Sequence, residues 1–595
     1  EIVIGDWSSD VCSSDLRNNM RKVLLYMLKA GIREFFAESE EIMRKERRWK
    51  KVLSALVLAA AMGVTAVGCG TSGGNTGSQP QGENAAATET AEVSDDIVNI
   101  GVTNTLGTLN PLLMDGGETN KYATSLMFLP LVELNSNLEF EGEIADSVTT
   151  EDNKNFIVHI DEKATWSDGE KITADDVVYT ALRLTSPVIG NTSMMYYVFE
   201  GVGDDGFTEE GAESIDGIKA IDDATVQFTT KEEMSLTTFE NSYARYLMTL
   251  PKHVIEQYTE EELKTAEWFN HPDVVSGPYM VTDFDVDHYI SYKANENYWK
   301  GAPKIAKLNI KIVSGSQLYA GLQSGEIDIT QPTMSVIPEE DYDSVEALSN
   351  VNVVYGEPVT NQSVFIQTKN VPDVRVRQAM LYAIDRKMVL EQLLKGKGEV
   401  ADGFLSSASP FYDDSIVPVE QDVEKAKELL AEAGWDGSQT LRFYVNSGDS
   451  AFVNAANVFV AQWAAVGIKV EVQTVDFATL MSVAGTNDYD ILAVQYTYAP
   501  VDPYPDVAWL LGGEDSWTGY GDDRVNEALA KTQTTSDMDE IKGLYSVVDQ
   551  KVQEDVPMFS AYIVSAQAAV NKRLSNATPS VYGFFNNVEQ WEITK

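Results

Sequence analysis

The sequence predicts an α/β protein over residues 97–595. Three observations carry this expectation. Stretches that alternate apolar and polar residues interleave with stretches of helical period along the whole segment. Hydrophobic residues make up 44% of the chain, ample for a packed core and contrary to disorder. A chain of 595 residues also exceeds what one core usually supports, so more than one core is expected.

The elements follow in order. IVNIGVT (97–103) alternates like a strand, and NTLGTLNP follows as a loop. NKYATSLMFLPLVEL reads as helical, and FIVHI (156–160) as a strand. Within ATWSDGEKITADDVVYTALRL (164–184), Ser167-Asp168-Gly169 makes a turn. Thr173 is placed to N-cap a helix, with Asp175 and Asp176 favoured in its first turn by the helix dipole. Val177, Val178, Ala181 and Leu182 then share one apolar face. Strand signals recur at ATVQFTT, GPYMVTDFD, HYISYKA and KLNIKIV. Helix signals recur at VRVRQAMLYAIDRKMVLEQLL, VEKAKELLAEAG, VNAANVFVAQWAAVG and MDEIKGLYSVVDQKVQE, the second of these ended by Gly434 as a C-cap.

The segment before residue 97 reads differently. MRKERRWKK (43–51) is a basic cluster behind a methionine, and VLSALVLAAAMGVTAVG (52–68) is uncharged and apolar. Together these are the parts of a secretory signal, residues 43–68. The apolar run is short and rich in Ala and Gly for a membrane span, which needs about 20 strongly apolar residues. Ala66-Val67-Gly68-Cys69 resembles a bacterial lipobox. That resemblance implies a lipidated Cys69, and two or more acyl chains anchor a protein stably to a membrane. The chain has only one other cysteine, Cys12, within DWSSDVCSSDL (6–16), which back-translates to a widely used sequencing-library adapter. Residues 1–42 are therefore expected to be a non-native leader ahead of a start at Met43. Residues 69–96 are mostly Gly, Ser, Thr, Ala and acids, and read as a flexible tether.

Charge narrows the partners. Lys and Arg number 44 against 92 Asp and Glu, a net charge of −48. Nucleic acid is excluded, because its binding rests on basic phosphate contacts. A polybasic membrane mode is excluded on the same ground. Strong self-repulsion suits a soluble extracytoplasmic chain, expected to be a monomer.

The order of motifs resembles the family 5 extracellular solute-binding proteins, lipoprotein receptors of peptide and nickel ABC importers. The matching stretches are LGTLNP, WSDGEKITADDVVYTALRL, LPKHVIE, SGPYMV with NENYWKGAP, SGEIDI, VPDVRVRQAMLYAIDRKMVL, VEKAKELLAEAGW and YDILAVQYTYAPVDPYPDVAWLL. The resemblance implies a type II periplasmic-binding-protein fold. Its two lobes would enclose a ligand cleft and be joined by a hinge that the chain crosses twice. Lobe I would run 97–355 and return at 556–595, with lobe II at 356–555. It also implies an ABC permease and ATPase complex as partner, a peptide or other small solute as ligand, and no cofactor. Trp166, Asp168, Gly277, Pro278, Tyr279, Arg375 and Arg386 are expected to be scaffold.

Ligand contacts follow from the same resemblance. Peptide receptors of this family carry a Trp and, three residues on, an Asp that pairs with the peptide α-ammonium. A buried ammonium needs such a partner. Here those positions are Tyr496 and Ala499, so the usual anchor is missing, while Asp502-Pro503 is kept. Asp502 and Asp506 are candidate substitutes. Tyr496 and Tyr498 offer flat contact area with hydroxyls. Thr103, Asn104 and Thr105 are expected to line the cleft from lobe I, and Asn361 and Gln362 to contribute near the hinge. YAPVDPY also resembles the nickel-receptor version, whose His is replaced here by Tyr504. The four histidines, His159, His253, His271 and His288, lie far from this loop in sequence, so no metal site is expected. An oligosaccharide or a nickel chelate remains an alternative ligand.

A surface-tethered hydrolase is the rival class. The chain has no HExxH, and four histidines give little material for general-base work. Two carboxylates suffice for a retaining glycosidase, so composition leaves that possibility open. The ordered motifs point to a binder and not an enzyme.

Overall fold

A computed structural model describes residues 96–594 apart from 116, 195, 336, 514 and 515. The leader, signal segment, tether and Cys69 lie outside the described residues. Two large sheets organise the rest. The first has seven strands, in the order Val351–Tyr355, Gln567–Asn571, Ile329–Thr330, Ile97–Val102, Lys307–Ile312, Tyr289–Ala294, Tyr279–Asp285. The second has six, in the order Gly398–Glu399, Met558–Val564, Thr360–Ile366, Ile491–Thr497, Thr440–Asn446, Lys469–Val475. A four-stranded antiparallel sheet, which includes Asn155–Ile160 and Thr225–Thr229, packs into the first lobe.

Local signals explain most elements. The helix Ala174–Leu184 starts where Thr173 gives its N–H and hydroxyl to the Asp176 carboxylate. The helix Val423–Ala433 ends at Gly434, which is left-handed at φ 69°. Two readings need correction. The long helical signal at 374–394 is two helices, Val374–Ala383 and Arg386–Leu393. Asp385 breaks it by accepting the Met388 N–H and capping the second helix. The helical signal at 120–134 is the helix Glu118–Ser125 followed by the strand Val132–Leu134, because Pro130 intervenes.

The chain passes between the sheets at two points. The first crossing lies between Tyr355 and Thr360. The second falls after Val564, later than the expected 556, because Met558–Val564 is hydrogen-bonded to Thr360–Ile366 in the second sheet. The two crossing segments touch: the Gly356 N–H donates to the Ala566 carbonyl at 2.9 Å. The second sheet separates two cores by strand alternation. Val364, Ile366, Ile491 and Ala493 face one core, with Phe452 and Trp463. Phe365, Leu492 and Val494 face the other, with Tyr498 and Tyr545.

Candidate functional site at the lobe junction

The strand Ile491–Thr497 runs out at the lobe boundary and continues into the turn that holds Asp502. Ala499 closes this turn, its carbonyl accepting the Asp502 N–H at 3.2 Å. Pro503 and the helix Tyr504–Leu511 follow, with Asp506 in the first turn.

Tyr496 and Tyr498 lie two residues apart and so share one face of the sheet. Their rings are 4.8 Å apart. The Tyr496 hydroxyl donates to Asp506 Oδ1 at 2.7 Å. The Tyr498 hydroxyl lies 3.2 Å from Ser363 Oγ, and Tyr498 is buried. Asn361 pairs directly with Tyr496 across the ladder and belongs to the same face. Gln362 pairs with Gln495 and therefore faces the opposite way. The structure thus gathers Asn361, Tyr496 and Tyr498 and separates Gln362 from them. Thr103 gives its N–H to the Met334 carbonyl at 2.8 Å. It lines a groove of about 720 Å³ whose lining residues all come from the first lobe. Asn104 and Thr105 are exposed.

Asp502 joins the lobes. It is 3% exposed, and its Oδ1 lies 3.0 Å from Thr238 Oγ1 of the first lobe. Thr238 Oγ1 lies equally close, 3.0 Å, to Gln533 Oε1 of the second lobe. One hydroxyl proton cannot serve both acceptors. Asp502 Oδ2 is buried and accepts no well-formed hydrogen bond. Burial pushes the Asp502 carboxyl up to about 7, against the pull of Thr238 and Asn241, and the nearby Asp506 charge adds to the rise. Burial likewise pushes Asp506 up to about 6, against the Tyr496 hydrogen bond, and Glu240 up to about 7. The junction thus holds two buried carboxylates, and one oxygen of Asp502 is left without a well-formed partner.

Residues that sequence reasoning missed stand on the first-lobe side. Lys121 is fully buried and pairs with Glu133, which also sits 2.9 Å from Arg245 Nη2. Arg245 lies 5.5 Å from the Tyr582 ring centre. The one available signal was a lysine inside the apolar-rich stretch around Tyr122. Two of the expected scaffold residues are locked into the framework. Trp166 is fully buried. Arg386 pairs with Asp402 and donates to the carbonyls of Ala401 and Ser560. His253 pairs with Asp168 at 3.0 Å and His159 with Asp146 at 2.9 Å. Among the described residues, no group of three His, Cys, Asp or Glu is arranged to hold a metal ion. Among them also, no helix is long and apolar enough to cross a membrane.

Residues 139–518 match the family described as "Bacterial extracellular solute-binding proteins, family 5 Middle". The chain belongs to this family. Its fold is the type II periplasmic-binding-protein fold. A solved structure of the ABC transporter substrate-binding protein CtaP from Listeria monocytogenes superposes with a TM-score of 0.70 at 23% identity, covering 84% of this chain and 99% of that one. The "Oligopeptide-binding protein AppA" of Bacillus subtilis is 24% identical over 495 residues, 79% of this chain and 87% of that protein. "Heme-binding protein A" of Haemophilus influenzae is 24% identical over 504 residues, 80% of this chain and 88% of that protein. Family 5 members of this kind are solute-binding receptors, and the ligands in their names differ on one shared framework.

Proposed function

We propose that this family 5 member is the substrate-binding lipoprotein of an ABC importer, anchored outside the cell membrane through Cys69. It binds peptides between its lobes, closes on them and presents them to a permease and its ATPase. It acts as a monomeric receptor and not as an enzyme.

One observation carries the peptide reading. The lobe junction holds two buried carboxylates, one of them with an unpaired oxygen, and it sits on the segment where the family's ammonium anchor is expected. A ligand ammonium brings three donors and a positive charge. Placed between Asp502 and Asp506, it supplies a donor to the unpaired Asp502 oxygen, and the two carboxylates take the place of the one missing at Ala499. Asp502 is hydrogen-bonded to Thr238 of the first lobe, so an ammonium held by Asp502 is coupled to the contact between the lobes and would bias the closed form. The oligopeptide-binding relative supports the same ligand class.

The test is a thermal-shift comparison of free-amine di- to pentapeptides with their N-acetylated forms. A ligand bound only by the native state raises the midpoint by mass action. Stabilisation by free-amine peptides alone is the expected result. Ala499 itself favours a second reading, a non-peptide solute such as an oligosaccharide or a nickel chelate. Indifference to acetylation, or stabilisation by those solutes only, would replace the peptide reading with that one.

A further inference from the structure

Gln362 opens onto a second, separate cavity. The cavity measures about 140 Å³ and is lined by Asn446, Asp449, Phe452, Phe477 and Gln495 beside Gln362. This is below the roughly 300–1,000 Å³ of a whole-ligand pocket, so it suits one group of a ligand. Gln362 is 2% exposed, yet its Oε1 accepts no hydrogen bond. A buried unpaired amide oxygen is costly and needs a reason. The ladder is irregular at this point: pairing with Met558–Val564 shifts register between Asn361 and Ser363. Such irregularities are common beside functional sites.

One carboxylate, Asp449, lines the cavity. Asp449 caps the helix Ser450–Ala465, its Oδ1 accepting the Phe452 N–H at 2.9 Å. Glu339, from the first lobe, lies near enough for the Asp449 charge to help hold its carboxyl above the ordinary range, after burial. Burial holds Asp449 up as well. Phe452 is buried, whereas Phe477 is 53% exposed at the mouth. The cavity therefore combines an unpaired acceptor, a carboxylate and two aromatic rings. That set matches an alkylammonium: oxygens for the head, rings for the methylene stem.

Resting on the solute-receptor reading, we propose that this cavity is a cation subsite that takes an alkylammonium group of the bound solute. For a peptide ligand this is a lysine-type side chain. Gln362 Oε1 and Asp449 accept from the ammonium, and Phe452 and Phe477 flank the stem. The subsite lies on the opposite sheet face from Tyr496, so it reads a different part of the solute from the Asp502 junction.

Calorimetric titration of the purified protein tests this with three probes: Ala-Ala-Lys, Ala-Ala-norleucine and 1,5-diaminopentane. Two variants accompany the wild type, Asp449→Asn and Gln362→Met. Asparagine keeps the helix cap, so Asp449→Asn should fold. The lysine peptide should bind about tenfold or more tightly than the norleucine peptide, as a charged hydrogen bond warrants. Asp449→Asn should erase most of that ratio, and Gln362→Met should reduce it. Equal binding of the two peptides would overturn the subsite and leave the peptide receptor standing. If only the diamine binds, and Asp449→Asn abolishes it, the subsite stands and the peptide reading falls. No binding by any probe overturns the subsite.

Discussion

Asp502 concentrates the electrostatics of the junction in one side chain. Its carboxyl titrates at about 7 in the folded protein, whereas an unfolded aspartate titrates near 4. Between those values the folded state holds a proton that the unfolded state has lost. Stability therefore falls as pH rises through this window. Asp506, at about 6, adds to the lower part, and Asp549, which burial pushes up to about 8, extends the upper end. Asp502→Asn should flatten the fall in melting temperature between pH 5 and pH 7, since asparagine does not titrate. The difference should amount to a few kcal/mol at most, because each tenfold change in proton affinity is worth about 1.4 kcal/mol. An unchanged slope would move the effect to Asp506, Asp549 and Glu240. The same chemistry sets a rule for binding. An ammonium that replaces the Asp502 proton binds more tightly as pH rises toward 7 and releases a proton below it. Titrations in buffers of different ionisation enthalpy would detect that release.

At the level of elements, the hinge is the sensitive part. Gly356 stands on the first crossing segment, and a β-carbon there would approach Pro332 Cβ and Val581 Cγ2 at 2.9 Å. Real carbons do not sit so close, so Gly356→Ala must shift one crossing segment. We expect a loss of about 1–3 kcal/mol in chemical denaturation, typical of an overpacked site. A neutral result would mean that the hinge yields freely. Much of the element plan was legible in the sequence. Alternation at 97–102 and 307–312 marked strands, and Thr173 and Gly434 marked helix ends, because these signals are local. The break at Asp385 was missed because an Asp inside an apolar pattern reads as a surface residue until its cap is seen. The separation of Asn361 from Gln362 follows from strand period, but only once Thr360–Ile366 is known to be a strand. The Lys121–Glu133–Arg245 cluster had no local signal beyond the lysine itself, since its members are brought together by tertiary packing.

On the scale of the whole molecule, ion pairs link the lobes beside the hinge. Lys395 Nζ lies 2.6 Å from Asp343 Oδ2, and Lys397 Nζ lies 3.6 Å from Glu346 and 4.0 Å from the Tyr355 ring centre. These groups are substantially exposed, so each contributes little. Lys397→Ala should shift the balance between open and closed forms by under about 1 kcal/mol, and less in high salt. Distance measurements between labelled lobes would read it. The anchor gives the other whole-molecule prediction. If Cys69 carries the lipid, Cys69→Ser should move the protein from the membrane fraction to the soluble one. Retention after washing without detergent would refute the anchor.

The strand Gln567–Asn571 sits between Val351–Tyr355 and Ile329–Thr330 in the first sheet. The chain must therefore be synthesised through Asn571 before that sheet can be joined. A nascent chain halted at residue 565 has no neighbour for Val351–Tyr355 and cannot complete its first lobe. Closure of this sheet therefore waits for a strand made more than two hundred residues after its neighbours. If the chain is exported as proposed, its first lobe would stay open during passage at least until Gln567–Asn571 has emerged, whereas the strands of the second sheet are all present once Val564 has been made.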